Sequence, residues 1–186
     1  MVGILAKVVR VNILKNLIVC LSVLLNSCVA LSQSDLKFID LTEYAQPMPE
    51  FRLVDERSGE YYSSVSHIGS VFVLEFFFEK CPYCHENEPN IERLAEEFAG
   101  NDKVQILEVS IDCDSDSYRD WIRRHEPRSP VLNDCNGQLV DPLDISGFPT
   151  TIVFRPDGQQ AMRGSGVWSE ATYDRISEYL KQTSGK

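Results

Sequence analysis

Cys81 and Cys84, separated only by Pro82 and Tyr83, are the side chains in this sequence best equipped for chemistry. Thiols at that spacing can close on one another, so the pair can alternate between dithiol and disulfide and carry two electrons. An apolar run, Val71–Phe78, precedes them, and a segment with helical periodicity follows, so the pair falls at a strand-to-helix junction. There the backbone N–H groups and the helix dipole favour a thiolate. Cys81, nearer the helix start, is the expected nucleophile, and Cys84 is the thiol that resolves a mixed disulfide. Pro82 suits a first helical turn, and Tyr83 is expected to offer exposed aromatic surface to a substrate. A zinc site would need two more ligands, and Cys113 and Cys135 lack paired spacing, so no metal site is expected.

Four other residues bear on the pair. Glu75 is the one acid in Val71–Phe78, and burial there would raise its pKa and suit it to pass a proton. An edge position with the side chain in solvent is the competing reading. His85 follows Cys84 and is either a cation beside the site or a solvated helix residue. Cys113 and Cys135 fall in loops after the second strand and the following helix. A disulfide between them would pin the middle of the chain, although a second redox pair exchanging with Cys81–Cys84 is the alternative.

The elements that must position these residues are legible in outline. Glu50–Val54 and Tyr61–Val65 read as a hairpin, and Val71–Phe78 as a strand covered on both faces. In the helix after Cys84, Ile91, Leu94, Ala95 and Phe98 share a face, while Glu86, Glu88, Glu92, Glu96 and Glu97 form the polar side. Pro89 should kink it. Val104–Ile111 is a second buried strand, parallel to the first through the crossover helix. Ser115–Arg124 is a short helix with Trp121 and Ile122 inward, and Pro130–Asn133 a minor strand. Thr150–Arg155 and Gln159–Arg163 form a hairpin about Pro156-Asp157-Gly158, and Ser169 caps a last helix. The sum is an α/β fold, a mixed sheet with helices on both sides.

Of 186 residues, 43% are hydrophobic, enough for one ordinary core. The first 32 residues hold Lys7, Arg10 and Lys15, no acid, and the apolar run Leu17–Leu25, the layout of a secretory signal peptide. Its end is open. Ala30-Leu31-Ser32 suits cleavage, Leu25-Asn26-Ser27-Cys28 resembles a lipobox with lipidation at Cys28, and retention as a membrane anchor is the third course. Without this segment the formal charge of −10 becomes −13, which argues against nucleic acid or anionic lipid as partner. The expected divisions are a signal at 1–32, a lead-in at 33–48, one domain at 49–182 and a tail at 183–186. Export, to a periplasm, would let disulfides persist.

The strand-CPYC-helix unit, Glu75 six residues before Cys81, Pro89 five after Cys84, and Gly147-Phe148-Pro149-Thr150-Thr151-Ile152-Val153-Phe154 together resemble the thioredoxin fold from about Pro49 to Leu180. The lead hairpin and the long stretch from Cys84 to Pro149 are similar to the TlpA/ResA-type membrane-associated thiol-disulfide oxidoreductases. That resemblance implies a three-layer α/β/α sandwich with an N-terminal extension and a central insertion. It also implies protein thiol or disulfide substrates, a membrane redox partner and a monomer. Glu75 matches a buried acid near the second cysteine, and Pro149 a cis-proline whose loop, with Phe148, faces the cysteines and binds an extended substrate. No organic cofactor is implied, because the cysteines carry both electrons. Lys80 and Asn87 depart from the Trp and Glu usual at their positions, and the pair Pro82-Tyr83 is glutaredoxin-like. A DsbA-like oxidase or isomerase is therefore an alternative, as is a copper(I)-binding assembly factor that would use the thiolates as soft ligands.

Overall fold

The structure is a computed structural model and describes residues 46–185. The expected signal at 1–32, Cys28, most of the lead-in and Lys186 lie outside the described residues.

Strand β3 (Val71–Phe77) is the axis of the fold, and all seven of its residues are buried. A run this apolar, interrupted only by Glu75, forms a strand only where both faces can be covered. It pairs in parallel with β4 (Val104–Ser110) and antiparallel with β6 (Thr150–Phe154). The outer strands β5 (Val131–Asn133) and β7 (Gln160–Ser165) complete the order β5-β4-β3-β6-β7. A separate hairpin, β1 (Arg52–Val54) and β2 (Tyr61–Ser63), precedes them. The turn between β6 and β7 closes with the Gly158 N–H donating to the Arg155 carbonyl, and its φ of +80° is one that glycine adopts at no steric cost.

Alternation along β3 divides the core. Val71 and Val73 pack with Ile91, Leu94 and Phe98 of α1 (Pro82–Glu97) and Tyr173, Ile176 and Leu180 of α3 (Glu170–Ser184). Phe72, Leu74 and Phe76 point the other way, onto Phe51, Leu53, Leu139, Leu143 and Ile145. α2 (Ser115–His125) joins the first side through Trp121, stacked on Phe77 at 4.1 Å. The second outer layer is thin. It consists of the hairpin and the turns at 138–144.

Caps explain where the helices begin. Ser169 accepts from the Thr172 N–H at 3.2 Å to start α3, and Asp114 from the Asp116 N–H at 3.3 Å to start α2. α1 continues through Pro89 without ending there. One expectation fails inside α1. Glu88, assigned to the polar face, is buried, because α2 lies against that side of the helix.

Candidate active site

Cys81 is the residue at which β3 hands over to α1. It is the N-cap of the helix, and its Sγ accepts from the Cys84 N–H at 3.1 Å while its carbonyl accepts from the His85 N–H at 3.2 Å. The Cys84 N–H aimed at the sulfur, and the positive end of the helix, favour charge on Cys81 once the bond is open. The two cysteines are joined, with Cα atoms 5.2 Å apart. Both sulfurs sit below the surface among Phe77, Trp121 and Val131, whereas Pro82 is exposed and Tyr83 is 61% exposed.

The far wall comes from the loop before β6. The Phe148–Pro149 peptide is cis, Phe148 packs against the cysteine cluster, and its ring meets Phe78 edge-on at 5.4 Å. Pro149 is buried, and its carbonyl accepts from the Gly166 N–H at 2.9 Å.

Glu75 is on the central strand and not at an edge, and it is tied to α1 through Asn87, three residues after Cys84. It is 4% exposed, paired across the sheet with Thr151 on one side and Glu108 on the other. Asn87 Nδ2 donates to its carboxylate at 2.7 Å, and Thr151 Oγ1 donates to the other oxygen. Asn87 Oδ1 in turn accepts from the Trp168 N–H at 2.7 Å, and Trp168 Nε1 donates to Thr151 Oγ1 at 2.8 Å. Burial pushes the Glu75 carboxyl up to about 7, against the lowering pull of the Thr151 and Asn87 hydrogen bonds. Asn87, at the position where the resembled family usually carries Glu, is therefore the amide that holds Glu75 in place.

A second buried set was missed from the sequence. Glu108 on β4 is 1% exposed and accepts from Trp121 Nε1 at 2.8 Å. Burial pushes it up to about 8. Glu88 lies 3.3 Å from Nδ1 of His125, and burial, with Glu92 nearby, raises it to about 7. Burial, then His85 and Arg124, lower His125 to about 4. His85 is half-buried, with its ring stacked on Trp121 at 4.9 Å. Glu108 carried the same signal as Glu75, a lone acid in an apolar strand. Nothing in the sequence pointed to His125.

Cys113 and Cys135 are bonded to each other, with Cα atoms 4.8 Å apart, and both are exposed. Their loop leans on the site, because Asp112 accepts from the Glu79 N–H at 2.8 Å.

The family model described as the AhpC/TSA family matches residues 44–160. The chain belongs to the AhpC/TSA family. Among curated relatives, the thiol-disulfide oxidoreductase ResA of Oceanobacillus iheyensis is 27% identical over 135 residues, 71% of this chain and 68% of the relative. ResA of Bacillus subtilis is 22% identical over 139 residues, 74% and 76% of the two chains. In fold, the chain is similar to a putative thiol:disulfide interchange protein DsbE from Chlorobium tepidum, with a TM-score of 0.67, 18% identity and coverage of 77% and 99%. Within the AhpC/TSA family, the present chain thus has the thioredoxin-like α/β fold that its sequence resembles.

Proposed function

We propose that this protein is a thiol-disulfide oxidoreductase of the TlpA/ResA type that reduces protein disulfides. The observation that carries this reading is Cys81 at the N-cap of α1, bonded to Cys84 and accepting an N–H from it. In the reduced protein the Cys81 thiolate attacks one sulfur of a substrate disulfide. A Cys81–substrate bond forms, the substrate S–S bond breaks, and one substrate sulfur leaves as thiolate. Cys84 then gives up its proton and attacks Cys81, which releases the second substrate thiolate and leaves the Cys81–Cys84 disulfide. Two electrons have passed to the substrate. Glu75 takes the Cys84 proton through water, which its bond to Asn87, three residues after Cys84, and its raised pKa support. Tyr83, Pro82, Phe148 and Pro149 form the surface on which an extended substrate lies.

The remaining parts of the proposal concern setting. The protein acts after export, in a periplasm, as a monomer. A membrane redox partner returns its electrons, and residues 1–32 serve as the export signal, through cleavage, lipidation at Cys28 or retention as an anchor. Residues 49–182 act as one domain, and the Cys113–Cys135 bond is structural.

Trapping tests the chemistry. With Cys84→Ser, a disulfide-bonded peptide should remain attached to Cys81 and be recovered by mass spectrometry, whereas Cys81→Ser should capture nothing. Capture through Cys84 in the Cys81→Ser variant would reverse the assignment of roles.

A further inference from the structure

His85, His125 and Glu88 form a continuous run of polar contacts between α1 and α2. His85 Nε2 lies 2.6 Å from the Glu79 carbonyl oxygen, His85 Nδ1 lies 2.7 Å from His125 Nε2, and His125 Nδ1 lies 3.3 Å from Glu88 Oε2. Both rings lean on Trp121, which packs against Cys81 and Cys84. His85 itself is the next residue after Cys84.

The polarity of this chain has two solutions. If His85 Nε2 donates to Glu79, then His85 Nδ1 must accept from His125 Nε2. His125 Nδ1 then faces a protonated Glu88, or carries a proton itself beside the Glu88 carboxylate. If His85 Nε2 instead accepts from the Arg124 guanidinium, 3.1 Å away, both imidazoles donate in the other direction, toward an ionised Glu88. Because that one nitrogen has an acceptor and a donor within reach, either direction finds a partner. The two arrangements differ by one proton and hence by one unit of charge.

We infer that His85, His125 and Glu88 are a positioning set that holds the proton given up by Cys81 when it becomes a thiolate, and releases it when the Cys81–Cys84 disulfide forms. The inference rests on the redox reading above. When the reduced protein is oxidised, the Cys81 anion disappears, the loaded chain loses the charge that favoured its proton, and that proton leaves. The Cys84 proton leaves by Glu75. Two protons therefore accompany the two electrons, matching the two thiols made on the substrate.

The charges around the chain fit this role. On its own helix stand Glu88 and Glu92, with Glu79 just before the helix and in an ion pair with Arg124 at 3.4 Å. Glu108 on β4 and Glu75 on β3 face the same interior, and Arg128, beyond α2, pairs with Glu92 at 3.4 Å. Glu88 Oε1 and Glu108 Oε1 are buried without a hydrogen-bond partner among the described residues, a cost that falls when the oxygen carries a proton. Burial and Glu92 hold Glu88 near neutrality, within the range where the chain would load and unload.

The test is the equilibrium constant of the whole protein with the glutathione pair, measured from pH 6 to 8.5 for the wild type, Glu88→Gln, His85→Gln and Glu75→Gln. Glu88→Gln keeps a donor for His125 Nδ1 but cannot exchange a proton, and His85→Gln, at a half-buried position, covers the case in which Glu88→Gln does not fold. With the chain intact, the reduced protein keeps the Cys81 proton and the constant stays nearly level with pH. In Glu88→Gln and His85→Gln that proton is lost to solvent, and the constant for oxidation should fall toward about tenfold per pH unit, the slope of one proton. Glu75→Gln should retain the level contribution of the chain. Profiles of Glu88→Gln and His85→Gln that superimpose on the wild type, with glutathione exchange intact, would overturn the inference. A wild-type protein that does not exchange with glutathione would instead sink the redox reading on which it stands.

Discussion

At the scale of single residues, the proposed mechanism divides its labour among groups whose environments differ. Cys81 receives an N–H at the start of a helix, Cys84 is buried beside it, and Glu75 is shut in on the central strand. Glu75 must be ionised to accept a proton, so resolution of the mixed disulfide should speed up as pH rises through about 7, the value to which burial takes this carboxyl. Glu75→Gln should lose that rise and slow resolution by about 10²-fold, while leaving the attack by Cys81 much less affected. Rapid-mixing kinetics that separate the two steps will check this, and equal slowing of both would count against it. Glu75 was legible because an acid in an unbroken apolar run has few explanations. Its partners were not, because Asn87, Thr151 and Trp168 meet only through the tertiary fold.

At the scale of elements, apolar runs and helical periodicity marked the strands and helices that build the site, and turn residues marked several of their ends. What they could not convey is which helix leans on which. Glu88 reads as part of a charged helix face until α2 covers it, and the inward turn of Asn87 depends on Glu75 and Trp168 being there to receive it. Asn87→Leu removes the donor to Glu75 and the acceptor for the Trp168 N–H, so it should cost about 1–3 kcal/mol in denaturant unfolding and push the Glu75 pKa higher still. The Cys113–Cys135 bond spans 22 positions and should contribute about 3 kcal/mol by restricting the unfolded chain. The double variant Cys113→Ser/Cys135→Ser should lose that stability and keep the glutathione equilibrium of Cys81–Cys84. A shifted equilibrium would instead mark the second bond as a partner in exchange.

At the scale of the whole molecule, several buried carboxyls share one interior. Glu75 and Glu88 are held up to about 7 and Glu108 up to about 8, in each case chiefly by burial. The folded state therefore keeps protons that the unfolded chain would release above its ordinary carboxyl range. Stability from these groups is full below about 4.5 and is lost as pH rises through 7 to 8. Glu108→Gln should make the alkaline decline shallower and gain on the order of 1–3 kcal/mol at pH 9, with little change at pH 5, as unfolding measured at both pH values would show. The acidic surface charge and the α/β class were plain in composition and pattern, but the number of acids turned inward was not. That number depends on which strand lies at the centre of the sheet. The claim that binds all three scales is that Cys81–Cys84 is an electron-donating pair. Its equilibrium reduction potential against glutathione is the most direct test: a value near or below about −270 mV, the range of thioredoxin, is predicted, and one near about −120 mV, the range of DsbA, would contradict a reductase.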